Sequence, residues 1–402
     1  MAGSTTNGVW RRVAESIAQR DALPTPVRAI LGYYADSGQL SVSALRLQRT
    51  TDRFMTRAVE DLFDPVEAAI ARDVDAAPDT VEFEYDTKLT LPAELTLGQV
   101  YYRARRETPD GFDPVNRELT SLRARLGGAD EDRLARLLDA HADRLDTIER
   151  AERMTELVTA ALVDGDMRDA LNDAEYEDFH VDFPVASDKL HREIASCAQE
   201  ALQRLVDERF EAFPPAVRDA YDEAVDISER HQARDDRFRT LARRARDGDD
   251  DAVVAIESEY KFADFDTPPP VFDDDDLELP YLKTQYRRVG VIYRGMIEMY
   301  RAADIDIDRA FEKSIIFAII GAQVWLDDVD DYEADYAEDQ LTPVTAEYLL
   351  ASDDETAYRR VVDISRTYLD AAKAHAEASN SPLAGIGSDY IYRSGDPSVL
   401  PR

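Results

Sequence analysis

The chain has 402 residues, 84 of them acidic and 48 basic, for a formal net charge of −36. That balance argues against a nucleic-acid partner, which requires a basic footprint. A hydrophobic fraction of 44% is ordinary for a globular protein, and a single cysteine, Cys197, excludes internal disulfides and a cysteine-built zinc site.

In chain order, Val9 to Gly38 carries helical periodicity broken at Pro24 and Pro26. Leu40 to Arg72 reads as one or two amphipathic helices, with Ser41 and Ser43 as N-cap candidates and Pro65 restarting a helix after Asp64. From Thr80 to Leu91, Val81, Phe83 and Tyr85 alternate with Glu82, Glu84 and Asp86, which predicts a strand or an extended arm. It is the one clear period-2 segment, so a full sheet is not expected.

Leu97 to Val163 is helical, interrupted near Pro109 to Pro114 and at Gly127 and Gly128, and Met167 to Pro184 is a mixed acidic stretch. Asp188 to Phe213 is an amphipathic helix with Leu190, Ile194, Ala198, Leu202 and Val206 at every fourth position. Ala216 to Arg246 follows as another helix. Phe265 to Asp276, FDTPPPVFDDDD, reads as an extended, solvated proline–acid linker. Two long helices, Glu278 to Ala303 and Asp308 to Tyr336, come next, then Pro343 to Ser352 and Glu355 to Ser379. The last stretch, Ser379 to Arg402, lacks periodicity and is expected to be a flexible tail.

The expected fold class is therefore all-α, an antiparallel helical bundle with at most one short extended arm near 80–91. The expected organisation is an N-terminal helical region (1–264), a linker (265–276), C-terminal helices (277–378) and a tail (379–402). The first residues, MAGSTTNGVWRRVAES, contain no apolar core, so no signal peptide is expected. The longest apolar run, Ile315 to Leu326, is roughly 12 residues against about 20 for a bilayer span. No membrane span and a cytoplasmic location are expected.

The composition carries a second signal. Only six residues are lysine, so arginine supplies 42 of the 48 basic side chains. High acid with arginine in place of lysine resembles proteins adapted to molar salt, as in halophilic archaea. There the Debye length falls to about 3 Å and hydrated carboxylates keep the chain soluble. Such a surface also produces acid pairs at helical spacing by chance, so a carboxylate pair counts only where its context differs from a solvated face.

Two successive helices differ in that way. Tyr281 to Ala303 carries Lys283, Arg287, Arg288, Arg294 and Arg301 against Glu298 alone. At 3.6 residues per turn, Lys283, Arg287, Arg294 and Arg301 form one stripe. The next helix turns apolar from Ile315 to Leu326 and then delivers Asp327, Asp328, Asp330 and Asp331. Gln323, Asp327 and Asp331 stand at i, i+4 and i+8, one face. Carboxylates that hold Mg²⁺ beside arginine and lysine are what a magnesium–diphosphate site needs.

The string from Gly321, GAQVWLDDVDDYEADYAEDQLTPV, resembles the second aspartate-rich motif of class I isoprenoid synthases, of the trans-prenyl diphosphate and squalene–phytoene types. Gln323 falls at the family's glutamine, Asp327, Asp328 and Asp331 at its Asp-Asp-x-x-Asp, and Leu341-Thr342-Pro343 at the following Leu-Pro. The resemblance implies an isoprenoid-synthase-like helical bundle and Mg²⁺ held by Asp327, Asp328 and Asp331, with Gln323 behind them. It also implies an isoprenoid (prenyl) diphosphate ligand, with Lys283, Arg287 and Arg294 on its diphosphate, and a prenyltransferase or terpene-synthase type of activity. The family's first aspartate-rich motif has no clean counterpart. The nearest strings hold Asp139 with Asp143 and Asp169 with Asp173.

Bland readings stand beside these. The aspartates also fit a solvated helix end, although acids there oppose the helix dipole, and the arginines also fit a face paired with acidic neighbours. A single Glu-x-x-His, Glu177 to His180, falls short of a di-iron bundle. No phosphate-binding glycine loop, nucleophile elbow or H-E-x-x-H is present. Two hypotheses therefore remain: a Mg²⁺-dependent prenyl-diphosphate-binding protein, and a non-catalytic all-α interaction or scaffold protein. No catalytic residue is assigned, and a homodimer is kept as a further partner.

Overall fold

The computed structural model describes residues 14, 18, 23–38, 42–74, 81–85, 88–107, 115, 136, 139–173, 180–181, 187–232 and 234–402. The fold is all-α. Among the described residues the one β feature is a two-residue antiparallel ladder in which Phe83 faces Val181 and Glu84 faces His180. The expected extended arm at 80–91 thus shrinks to Phe83–Glu84, since Lys88–Thr90 is already a 3₁₀ turn leading into a helix at Leu91. Its partner strand lies in the acidic stretch, where no alternation announces it. Among the described residues no helix is long and apolar enough to cross a membrane.

The chain divides into two compact units, and the division does not follow the expected boundaries. One comprises Ser43–Asp219 and Glu298–Asp306, the other Met1–Val42, Ala220–Ile297 and Ile307–Arg402. The first unit is built from the helices Val42–Asp73, Leu91–Arg106, Ala142–Asp173 and Asp188–Phe210. Val42–Asp73 runs through Pro65 rather than restarting there. It stays continuous because Leu62, Val66 and Ile70 are buried on both sides of the proline. Asp188–Phe210 starts at Ser187, whose side chain accepts from Leu190 N. It buries Ile194, Ala198, Leu202 and Val206, the expected face, against Ala142–Asp173.

The second unit is organised around Arg309–Ala322. Asp308 caps it, accepting from Ala310 N at 2.8 Å and Phe311 N at 3.3 Å. Most of its faces are buried, as its nearly unbroken apolar sequence requires. It packs against Asp354–Ala378. That approach is close at Gly321, where a Cβ would stand 2.8 Å from Leu369 Cδ2.

The C-terminal stretch is ordered, which corrects the expected flexible tail. Pro382–Ser394 is a helix, followed by a 3₁₀ turn at Pro397–Val399. Trp325 stacks on Tyr392 with centroids 5.7 Å apart and donates to its carbonyl at 2.9 Å. The buried face of this helix is made of Pro382, Leu383, Ala384, Gly385, Ser388, Asp389 and Ile391, too few of them large and apolar to mark a stripe in the sequence. Asp389 is held by Arg393 at 2.7 Å and Lys373 at 3.4 Å.

Among the described residues three π-helical turns interrupt this unit: Ile256–Lys261, Tyr286–Gly290 and Gln323–Asp327. The two expected long helices are therefore each broken. One reads Leu282–Gln285, the π turn, then Val291–Ala302. The other reads Arg309–Ala322, the π turn, Asp328–Asp330 and, beyond Asp331, Tyr332–Ala337. A π turn bonds i to i+5 and often marks a functional position.

Candidate functional site: an arginine-lined cleft

An open cleft of about 550 Å³ lies within the second unit. Its first wall is the end of the helix Pro215–Gln232 and the turn after it, which supply Glu223, Ile227, Arg230, His231 and Arg234. These recur at three- and four-residue spacing and so share a face. The second wall is Tyr286, Arg287 and Arg294, from the π turn and the helix it opens into. The third is the non-helical segment Phe265 to Pro270. It was expected to be part of a solvated linker, but Phe265 packs on Phe272 and Tyr286 with centroids 6.1 and 5.9 Å away. Val271 and Phe272 are buried.

Four arginines thus face one cleft against two carboxylates, Glu223 and Asp266, in a chain of net charge −36. The arginines crowd one another. Burial lowers the pKa of Arg287, and Arg234 and Arg230 add to the shift while Asp266 opposes it. Burial pushes the His231 imidazole down to about 4, with Arg288, Arg234 and Arg287 adding to the effect. Arg287 approaches Asp266 only to 3.7 Å. Arg294 donates to Tyr286 OH at 3.3 Å and lies 3.9 Å from Glu312. Like charges brought together with few counter-charges form an anion-binding surface.

The predicted basic stripe is split. Arg287 and Arg294 reach the cleft, Lys283 instead donates to the Asp264 carbonyl, and Arg301 pairs with Glu298 at 2.8 Å. The π turn lies between Lys283 and Arg294, so a stripe drawn at 3.6 residues per turn does not survive it. Arg230 and Arg234 were missed. Their signal was the spacing Ile227, Arg230, Arg234 at the end of an otherwise acidic helix.

The aspartates lie elsewhere. Asp328 is 2% exposed. Its Oδ1 accepts from Arg288 Nη1 at 3.4 Å and from Gln323 Nε2 at 3.3 Å, and its buried Oδ2 has no hydrogen-bond partner among the described residues. Asp327 and Asp331 are exposed. The expected face of Gln323, Asp327 and Asp331 is replaced by Gln323 with Asp328, five residues on. That is the π-helical period, and Gln323–Asp327 is a π turn. Asp327, Asp328 and Asp331 as placed do not fit a common Mg²⁺ ion. Among the described residues no group of three or more His, Cys, Asp or Glu is arranged to hold a metal. Asp139, Asp143 and Asp169 are exposed on or beside the helix Ala142–Asp173, and the side chain of Asp173 lies outside the described residues.

Asp328 and Tyr260 are buried and, with the half-buried Arg288 and Gln323, form a polar cluster that draws on the three described π turns. Tyr260 comes from the first, Arg288 from the second, and Gln323 from the third, which Asp328 directly follows. Burial pushes the Asp328 carboxyl up to about 7 against the pull of Arg288 and the Gln323 hydrogen bond. Burial likewise raises Asp335 to about 6, with Arg288 opposing it.

No family model matches the chain, and neither does any curated protein or solved structure.

Proposed function

We propose that the protein binds a phosphorylated organic anion in the arginine-lined cleft. The observation that supports this is the convergence of Arg230, Arg234, Arg287 and Arg294 on one open cavity of a strongly acidic chain. Guanidinium groups match phosphate oxygens in fork geometry, and their charge is always present. Ile227, Phe265, Tyr286 and Pro268 to Pro270 add apolar wall beside the charges. An amphiphile with an anionic head and an apolar body suits that lining. Among such amphiphiles an isoprenoid diphosphate is the one implied by the resemblance around Gln323 to Pro343. In this reading the diphosphate is held by arginine, with Arg287 and Arg294 joined by Arg230 and Arg234, rather than by a metal on Asp327, Asp328 and Asp331.

Calorimetry with pyrophosphate and with farnesyl diphosphate tests this. Arg287→Ala and Arg234→Ala should each weaken pyrophosphate binding by about 1.5–3 kcal/mol, the range for hydrogen bonds to charged groups. Farnesyl diphosphate should bind wild type more tightly than pyrophosphate does. Equal pyrophosphate affinity in wild type and both variants would remove the cleft from the site.

A further inference from the structure

The segment that walls the cleft is a strap tied at both ends. At its start the Lys283 ammonium donates to the Asp264 carbonyl, and Phe265 is packed on Tyr286. At its end Arg309 donates to the Val271 carbonyl at 3.2 Å, the Phe272 carbonyl at 3.4 Å and Asp273 Oδ1 at 2.8 Å. Between the ties run Asp266, Thr267 and three successive prolines. Proline fixes φ and removes the N–H donor, so Pro268 to Pro270 are stiff, and the Pro269 carbonyl accepts from Phe272 N at 3.1 Å in the turn that leads to the second tie. The strap therefore holds Asp266 at a set place over the cleft.

Asp266 Oδ2 lies 3.7 Å from Arg287 Nη2, with the Asp266 side chain 89% exposed and that of Arg287 24% exposed. A long, solvated pair of this kind contributes little to folding. The strap is secured by Lys283, Phe265 and Arg309 in any case. What the pair does change is the charge that an incoming anion meets. The Asp266 carboxylate is the strap's own anion in a cleft of arginines, and it is placed on one of them.

The geometry points to Asp266 as a tethered competitor. Its carboxylate occupies Arg287 when the cleft is empty, and a phosphate-type ligand must displace it to bind. This rests on the cleft reading above and adds to it a built-in regulator of affinity. An anion able to engage several guanidinium groups at once exchanges one contact for more than one, whereas a simple monocarboxylate only replaces like with like. The strap thereby biases the cleft toward multiply charged heads.

The test is calorimetry of pyrophosphate on the full chain at fixed ionic strength, with Asp266→Asn, the control Asp274→Asn, Arg287→Ala and the double variant Asp266→Asn/Arg287→Ala. Asp274 is exposed just beyond the strap and does not line the cleft. Asp266→Asn should tighten binding about two- to five-fold, the scale of an exposed ion pair. Asp274→Asn should leave affinity unchanged, and Asp266→Asn should gain nothing once Arg287 is alanine. An equal gain in Asp266→Asn and Asp274→Asn, or none in Asp266→Asn, overturns the competitor. If binding depends on Arg287 but not on Asp266, the cleft stands and only the strap's role falls. If pyrophosphate binds neither wild type nor Asp266→Asn, both fall.

Discussion

Arg288 places a guanidinium nitrogen 3.4 Å from Asp328 Oδ1, while Arg287, its neighbour on the same π turn, lines the cleft. One turn of helix thus sends two adjacent arginines to different tasks. Arg288 neutralises a buried carboxylate, and Arg287 carries charge to an open cavity. The acid and base that the sequence suggested would meet over a shared ligand are placed at separate positions.

The Asp328 carboxyl leads to a pH prediction. Its folded pKa is raised to about 7, whereas an unfolded aspartate titrates near 3.9. Between those values the folded state holds more protons than the unfolded, so this group's contribution to stability falls as pH rises from 4 to 7. Asp328→Asn cannot titrate. Urea unfolding of both proteins at pH 5 and 8 should show the variant gaining on wild type with rising pH, by on the order of a few kcal/mol. Lost packing with Arg288 adds a constant offset but no slope. A stability difference that stays flat across this range would show that Asp328 does not carry the buried charge.

His231 has the opposite sign. Its folded pKa is pushed down to about 4, against about 6.5 unfolded. The unfolded state then binds the extra proton between those values, so stability rises with pH through that window. Wild type should gain on His231→Gln between pH 4.5 and 7, by at most about 3 kcal/mol. Denaturation curves whose difference is constant with pH would show that the imidazole is solvated.

Two glycines predict changes of opposite direction. At Gly321 an added methyl would stand 2.8 Å from Leu369 Cδ2 and 3.3 Å from Tyr368 Cβ. Gly321→Ala should cost about 1–3 kcal/mol by overpacking the contact between the Arg309–Ala322 and Asp354–Ala378 helices. At Gly165, inside the helix Ala142–Asp173, an added methyl meets nothing within 4 Å. Gly165→Ala should stabilise by about 0.5–1 kcal/mol through helix propensity. Chemical denaturation measures both, and a stabilising Gly321→Ala would contradict the packing described for this unit.

Much of the helical framework was legible because it follows local rules. The helix starts expected at Asp188, Asp308, Pro343 and Glu355 lie within one residue of those found at Asp188, Arg309, Pro343 and Asp354, and Ile194 to Val206 bury the face that their spacing marks. The candidate site was half legible. Arg287 and Arg294 stood out as basic residues in an acidic chain, and the structure places both in the cleft. What could not be read were the π turns. Each adds a residue to a helical turn without any composition of its own, so faces drawn at 3.6 residues per turn shift beyond it. Gln323 consequently meets Asp328 rather than Asp327. Arg230 and Arg234 were hidden for another reason. They end a helix rich in acid, and only the fold of the Phe265 to Pro270 strap turns that end into a cleft wall. The C-terminal helix went unseen because its contacts use glycine, alanine and an ion-paired Asp389 instead of an apolar stripe.

The most direct test of the central claim is a crystal soaked with pyrophosphate and Mn²⁺, with anomalous data used to locate the metal. The predicted result is pyrophosphate density among Arg230, Arg234, Arg287 and Arg294, in a cleft from which Asp266 has withdrawn. A Mn²⁺ peak bridging pyrophosphate to Asp327, Asp328 and Asp331, with the arginine cleft empty, would contradict it.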